Sequence, residues 1–180
     1  SPAVCYHTYS SMKGSKLEQG RTVTAVGKCF RYESSNMIGL ERLWDFSMRE
    51  IVFIGPSEWV VDRRKASIER FSGILEELGV DCTIETANDP FFVQDYATKT
   101  YYQLRGDLKF EIRMNVEPER SIAVGSFNLH DNFFGKAFDI CCKEKEVDTG
   151  CTAFGLERLV FALFCQHGFE PSEWPKLMRP

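Results

Sequence analysis

Thr22 to Glu33 reads TVTAVGKCFRYE, and Arg42 to Ile54 reads RLWDFSMREIVFI. Both stretches are rich in β-branched and aromatic residues, while Ser34, Ser35, Asn36 and Gly39 between them supply turn chemistry. They predict an antiparallel strand pair joined by a polar loop. From Ser57 to Leu78 apolar residues recur at Val60, Val61, Ile68, Phe71, Ile74, Leu75 and Leu78, bounded by Pro56 and Gly79, which predicts an amphipathic helix. Strand-like runs follow at Asp81 to Ala87, Tyr101 to Arg105, Leu108 to Asn115, Ser121 to Asn128 and Phe134 to Cys142. Asn88-Asp89-Pro90, Gly106-Asp107 and Glu117 to Arg120 separate them. Finally, Phe154 to His167 (FGLERLVFALFCQH) places Leu156, Leu159, Val160, Leu163 and Phe164 on one helical face and stops at Gly168. The expected fold class is α+β, a mainly antiparallel sheet flanked by helices.

A chain of 180 residues without a long Pro/Gly/Ser linker or a repeat is expected to form one domain, residues 1 to 180. Its 43% hydrophobic and 13% aromatic content excludes disorder, and no run approaches the roughly eighteen apolar residues of a membrane span. No membrane partner is expected. The net charge of −4, without a basic stripe, argues against a surface built to grip nucleic-acid backbone. Seven cysteines without regular spacing or a Cys-x-x-Cys pair do not resemble a secreted disulfide framework. With no leader pattern, reduced thiols in the cytoplasm are expected. A start at Ser1 rather than Met suggests a cut or processed chain.

Two features carry chemistry. In Phe30-Arg31-Tyr32-Glu33, strand alternation puts Arg31 and Glu33 on one face, opposite Phe30 and Tyr32; alone, such a pair reads most simply as a surface ion pair. In Ala153-Phe154-Gly155-Leu156-Glu157-Arg158, a small residue and a glycine lead into a helix whose first turn carries an Arg, where the dipole prefers anions. A polyphosphate near that terminus would suit both the dipole and the guanidinium.

An Arg-x-Glu strand, a loop, a returning strand with an aromatic and a Gly-x-x-Arg helix start, in that order, resemble motifs 2 and 3 of the class II aminoacyl-tRNA synthetases. Further stretches sharpen the likeness: CYHTY at Cys5 to Tyr9, GKCFRYE at Gly27 to Glu33, MRE at Met48 to Glu50, ANDPFF at Ala87 to Phe92, LKFE at Leu108 to Glu111, SFN at Ser126 to Asn128 and GCTAFGLERL at Gly150 to Leu159. With these the chain, from Cys5 to Trp174 and Pro175, resembles the amino acid:carrier-protein ligases, seryl-tRNA-synthetase-like enzymes without a tRNA-binding arm. The family's N-terminal region, including motif 1 of the dimer interface, has no counterpart here, although a homodimer remains among the implications.

The resemblance implies a class II synthetase catalytic core and a catalytic Zn²⁺ held by Cys5, Glu50 and Cys151. Two thiolates and a carboxylate leave one position open, the mark of a catalytic zinc. Cys29, Cys82, Cys141, Cys142 and Cys165 match no ligand position and read as small apolar groups. Arg31 would contact the α-phosphate of ATP and Arg158 the γ-phosphate; these two are the expected catalytic residues. Phe46 is the candidate to stack under adenine or is an ordinary core Phe, Glu33 the expected partner of the adenine edge or of the nucleotide-side network, and Arg42 reaches the nucleotide or is a solvated loop Arg. Glu111 and Asn128 match inward-pointing positions near the aminoacyl and metal sites, with Lys109 on the Glu111 face. The Mg²⁺ ligand is Glu111, Glu117 or Glu119, since Ser121 to Gly125 offers no carboxylate. His130 and His7 read as hydrogen-bonded structural histidines, with His7 close enough in sequence to support Cys5 from behind.

The expected activity is ATP-dependent adenylation of glycine or alanine, followed by transfer to the phosphopantetheine thiol of a carrier protein, with no tRNA. Three alternatives remain: the core of a seryl-type tRNA synthetase, a non-catalytic paralogue, and a structural zinc domain.

Overall fold

The computed structural model describes residues 1–32, 37, 39–87 and 107–179. Glu33, the turn residues Ser34, Ser35 and Asn36, the motif residues Asn88 to Phe92 and the strand expected over Tyr101 to Arg105 lie outside the described residues.

The chain opens with α1 (Cys5–Ser11) and the short β1 (Lys16–Leu17), then forms β2 (Arg21–Phe30), β3 (Asp45–Gly55) and the long α2 (Ser57–Glu77). β4 (Cys82–Thr86), β5 (Lys109–Glu117) and β6 (Arg120–Leu129) follow, then α3 (Phe133–Ala137), β7 (Cys141–Cys142) and β8 (Lys145–Glu146). β9 (Asp148–Gly155) runs directly into α4 (Leu156–His167). Six strands make one antiparallel sheet in the order β2-β3-β9-β6-β5-β4, and β1, β7 and β8 form a small second sheet. The expected α+β class, antiparallel sheet and flanking helices are what the fold contains.

Strand alternation divides the hydrophobic residues between the two faces of the large sheet. Phe127, Ile112 and Met114 pack with Leu75 of α2 and Ala162 of α4 on one face. Val52, Ile54, Met48 and Cys29 pack on the other with Val4, Tyr9 and Phe134, under α1 and α3. Each fully buried Ile or Phe contributes about 1.5–3 kcal/mol to holding this sandwich together.

The expected strand pair is β2 and β3, registered from Arg21 opposite Ile54 to Phe30 opposite Asp45. β2 stops at Phe30, so Arg31 lies beyond the ladder, and Phe30 and Tyr32, expected on the face opposite Arg31, are 57% and 84% exposed. The helix stripes shift too. Val61 and Val160 are exposed, whereas Val60 and Ala162 are completely buried. The strand expected over Phe134 to Cys142 is instead the helical turn α3 followed by two strand residues. Phe134 and Phe138, four apart, sit over Tyr9, and a Cβ at Gly135 would collide with the Val147 carbonyl oxygen, so the turn packs only with glycine there. Sequence periodicity does not reveal β9 or α1, nor the short β1 and β8.

Candidate functional site

The inner face of the sheet is the floor of an open cleft of about 1160 Å³. That exceeds the roughly 300–1,000 Å³ usual for one small-molecule ligand, leaving room for two substrates side by side. Two adjacent rows of cross-strand partners build one end. Lys109, Asn128, Cys151 and Val52 stand in register across β5, β6, β9 and β3. Glu111, Ser126, Ala153 and Glu50 form the next row. Because alternate residues share a face, Glu50, Met48 and Phe46 then mark out the cleft along β3, and Glu50 to Phe46 spans about 14 Å at roughly 3.4 Å per residue.

At the Glu50 end, one ligand atom each from Cys5, Glu50 and Cys151 lies within 4.8 Å of the others, all three residues buried. Glu50 is only 1% exposed. Its two carboxylate oxygens accept the backbone N–H groups of Val4 at 2.9 Å and Cys5 at 3.2 Å. These are donors that the start of α1 leaves unpaired, so the short helix is capped by a distant strand. Cys151 Sγ accepts from Asn128 Nδ2 at 3.4 Å and stands 4.0 Å from His130 Nε2.

Three groups that ionise to anions cannot all be charged in one buried spot without a cation. Burial, and then the neighbouring Cys151, push the Glu50 carboxyl up to about 7. The two thiols share a hydrogen bond that raises Cys5 and lowers Cys151, so the pair holds on to a proton between them. A divalent cation removes this conflict, and the donor set suits zinc. Zn–S bonds of about 2.3 Å in a tetrahedron place two sulfurs about 3.8 Å apart, within the separation found here. The remaining cysteines stay apart from the cluster. Cys29 and Cys142 are buried in the core, and Cys165 is exposed.

The other end carries the basic residues. The Arg31 guanidinium lies over the Phe46 ring at 5.1 Å and its Nε donates to the Pro2 carbonyl at 3.0 Å. Arg158 enters from the first turn of α4, donating to the carbonyl oxygens of Glu41 and Ala123. The Glu41 carboxylate is itself gripped by Arg120 Nη1 at 2.8 Å. On the cleft wall, Glu111 pairs with Lys109 at 3.2 Å and Arg113 at 3.6 Å.

The fold therefore brings Cys5, Arg31, Phe46, Glu50, Glu111, Asn128, Cys151 and Arg158 to one cleft. Arg42 does not line it. Of the three carboxylates considered for Mg²⁺, Glu111 lines the cleft, Glu117 pairs with Arg120 at 2.7 Å, and Glu119 occupies a turn at φ 60°. His7 is exposed rather than behind Cys5. Two contributors were not singled out from sequence. Glu157 accepts the Ser47 backbone N–H with both oxygens at 2.8–2.9 Å, locking α4 onto β3. Glu41 ties the loop before β3 to Arg158. Glu157 adjoins the Gly-x-x-Arg helix start and could have been sought there; Glu41 gives no sequence signal.

A profile of the tRNA synthetase class II core domain (G, H, P, S and T) matches residues 19–167. The chain is 37% identical over 183 residues to amino acid–acyl-carrier-protein ligase 1 of Bradyrhizobium diazoefficiens, across 99% of this chain and 56% of that protein. It is 31% identical over 191 residues to the type-2 serine–tRNA ligase of Methanopyrus kandleri, across 98% of this chain and 36% of that one. The chain thus spans about half, or less, of the length of these curated relatives. Among solved structures, M. kandleri SerRS in complex with A. aeolicus tRNASec superposes at a TM-score of 0.83 with 28% identity, over 98% of this chain and 36% of that chain. Sequence match and shared architecture agree across most of the polypeptide, and the chain belongs to the family of class II tRNA synthetase core domains.

Proposed function

We propose that this chain is the catalytic core of an enzyme that activates a small amino acid with ATP and transfers it to the phosphopantetheine thiol of a carrier protein. The observation that carries the reading is the cluster of Cys5, Glu50 and Cys151 at one end of a cleft whose other end holds Arg31, Phe46 and Arg158. The 37% identity to a carrier-protein ligase supports the choice of acceptor.

Cys5, Glu50 and Cys151 would hold Zn²⁺, which supplies a Lewis-acidic seat for the substrate amine. Asn128 and Ser126, hydrogen-bonded to each other at 3.0 Å, hold the floor beside that seat. A substrate whose amine lies at the Glu50 end would have its carboxylate directed along β3 towards the nucleotide end. Its oxygen attacks the α-phosphorus, the bond to the bridging oxygen breaks and pyrophosphate leaves. Arg31 neutralises charge building on the α-phosphate, Arg158 holds the departing end, and Phe46 offers an aromatic face to adenine. Glu111, which lines the cleft, would bind Mg²⁺ in this reading. A carrier thiolate then attacks the aminoacyl carbonyl, forming the thioester and releasing AMP. Met48 lines the cleft between the two ends, and the amino acid activated there is glycine or alanine in this reading.

Pyrophosphate exchange with glycine, alanine and serine is expected to proceed with the small amino acids, and label from the adenylate to move to a phosphopantetheinylated carrier. Aminoacylated tRNA, or no amino-acid-dependent exchange, refutes the proposal.

Zinc affinity should increase with pH between about 6 and 8, close to tenfold per unit for each proton displaced. The sign follows from the free site, which retains a proton on the cysteine pair and, below about pH 7, one on Glu50 that the metal must expel. Competition with a chromophoric chelator across that range checks it, and a flat profile would contradict the ligand set.

A further inference from the structure

Cys151 is supported differently from Cys5. Its sulfur meets the Asn128 amide and, at the long end for a hydrogen bond to sulfur, His130 Nε2 at 4.0 Å. The opposite ring nitrogen, Nδ1, lies 3.3 Å from Tyr9 Oη and 3.4 Å from Thr149 Oγ1. With a hydroxyl donating to Nδ1, the ring proton sits on Nε2, aimed at the sulfur.

Tyr9 is completely buried, stacked on Phe134 at 4.5 Å, and stands one turn after Cys5 on α1. His130 follows β6, its backbone N–H donating to the Thr149 carbonyl at 2.8 Å, and its ring meets Phe134 edge-on at 5.0 Å. One turn of α1 therefore has two attachments: Cys5 to the ligand cluster, and Tyr9 to a ring that supports Cys151. His130 itself does not join the cluster of three ligand atoms.

We infer that Tyr9 and His130 are positioning residues for the metal, which hold the Cys151 sulfur in place by a hydrogen bond and fasten the Cys5 helix at the matching distance before the ion arrives. This role presupposes that Cys5, Glu50 and Cys151 are the ligands. Outer partners of metal ligands commonly account for about 10–100-fold in affinity.

The test uses the full chain and three variants, His130→Leu, His130→Gln and Tyr9→Phe. Zinc affinity is measured by chelator competition, and the thiolate-to-cobalt charge-transfer band after Co²⁺ substitution. His130→Leu is expected to weaken zinc about 10–100-fold and to move the band to lower energy, because a sulfur that loses an N–H donor gives up its electrons more readily. His130→Gln, whose amide nitrogen can donate from near the Nε2 position, should restore most of both, and Tyr9→Phe should weaken zinc several-fold. Wild-type zinc affinity and an unmoved band in His130→Leu would overturn the inference while the ligand set stands. If His130→Leu does not fold, Tyr9→Phe, which keeps the ring, decides by the same two readings. A wild-type chain that binds no zinc overturns the ligand set and the inference together.

Discussion

Cys151→Ala is expected to lose zinc and, with it, amino-acid activation, whereas Cys165→Ala retains both. Cys151 comes from the centre of the sheet and is buried against Asn128, whereas Cys165 is exposed on α4. Removing a ligand should cost more than the roughly 10–100-fold typical of an outer partner. Thermal unfolding reports it without any assay of turnover. Zinc at 100 times its dissociation constant stabilises a folded protein by about 2.7 kcal/mol. For a chain of this size that raises Tm by about 5–11 °C. The wild type and Cys165→Ala should show the rise and Cys151→Ala should not. Equal behaviour of the two variants would mean that the metal is held elsewhere.

Arg31→Ala is expected to lower kcat in pyrophosphate exchange by about 100–1,000-fold, the range for removal of one preorganised donor from a developing charge. Zinc content should stay at the wild-type level, because Arg31 lies at the Phe46 end of the cleft and its contacts there are the Phe46 ring and the Pro2 carbonyl. Arg31→Lys keeps the charge and loses the planar fork that stacks on Phe46, so it should recover only part of the rate. Metal analysis and steady-state kinetics on the same preparations separate this from the Cys151 result. Loss of zinc in Arg31→Ala, or an unchanged kcat, would remove Arg31 from the proposed chemistry.

Where regular alternation or helical spacing met ordinary burial, the sequence was readable. The β2 and β3 pair, α2, β5, β6 and most of α4 follow that rule. β9 escaped it. Its DTGCTAFG has few β-branched or large residues, and Thr149 to Ala153 are all buried, so a central strand covered on both sides shows no polar and apolar alternation. Helix α1 escaped because seven residues are too few to be stable alone, and its cap is the Glu50 carboxylate rather than a nearby Ser or Asp. The Phe134 to Cys142 stretch looked like a strand because aromatic and β-branched residues favour one, and contact with Tyr9 and Val147 decided otherwise.

By itself the sequence determined the antiparallel α+β class and, through motifs in order, the membership that the profile match bears out. The ligand candidates could be named only through likeness to relatives, since they come from three distant segments and no local spacing marks them. Tertiary structure alone decided that Cys5, Glu50 and Cys151 meet, and that His130 rather than His7 stands behind the cluster. The reason is register. Cys151 is placed opposite Asn128 and Val52, and Glu50 opposite Ala153, by strand pairings across the whole chain, and a slip of one residue would turn each of these side chains to the other face.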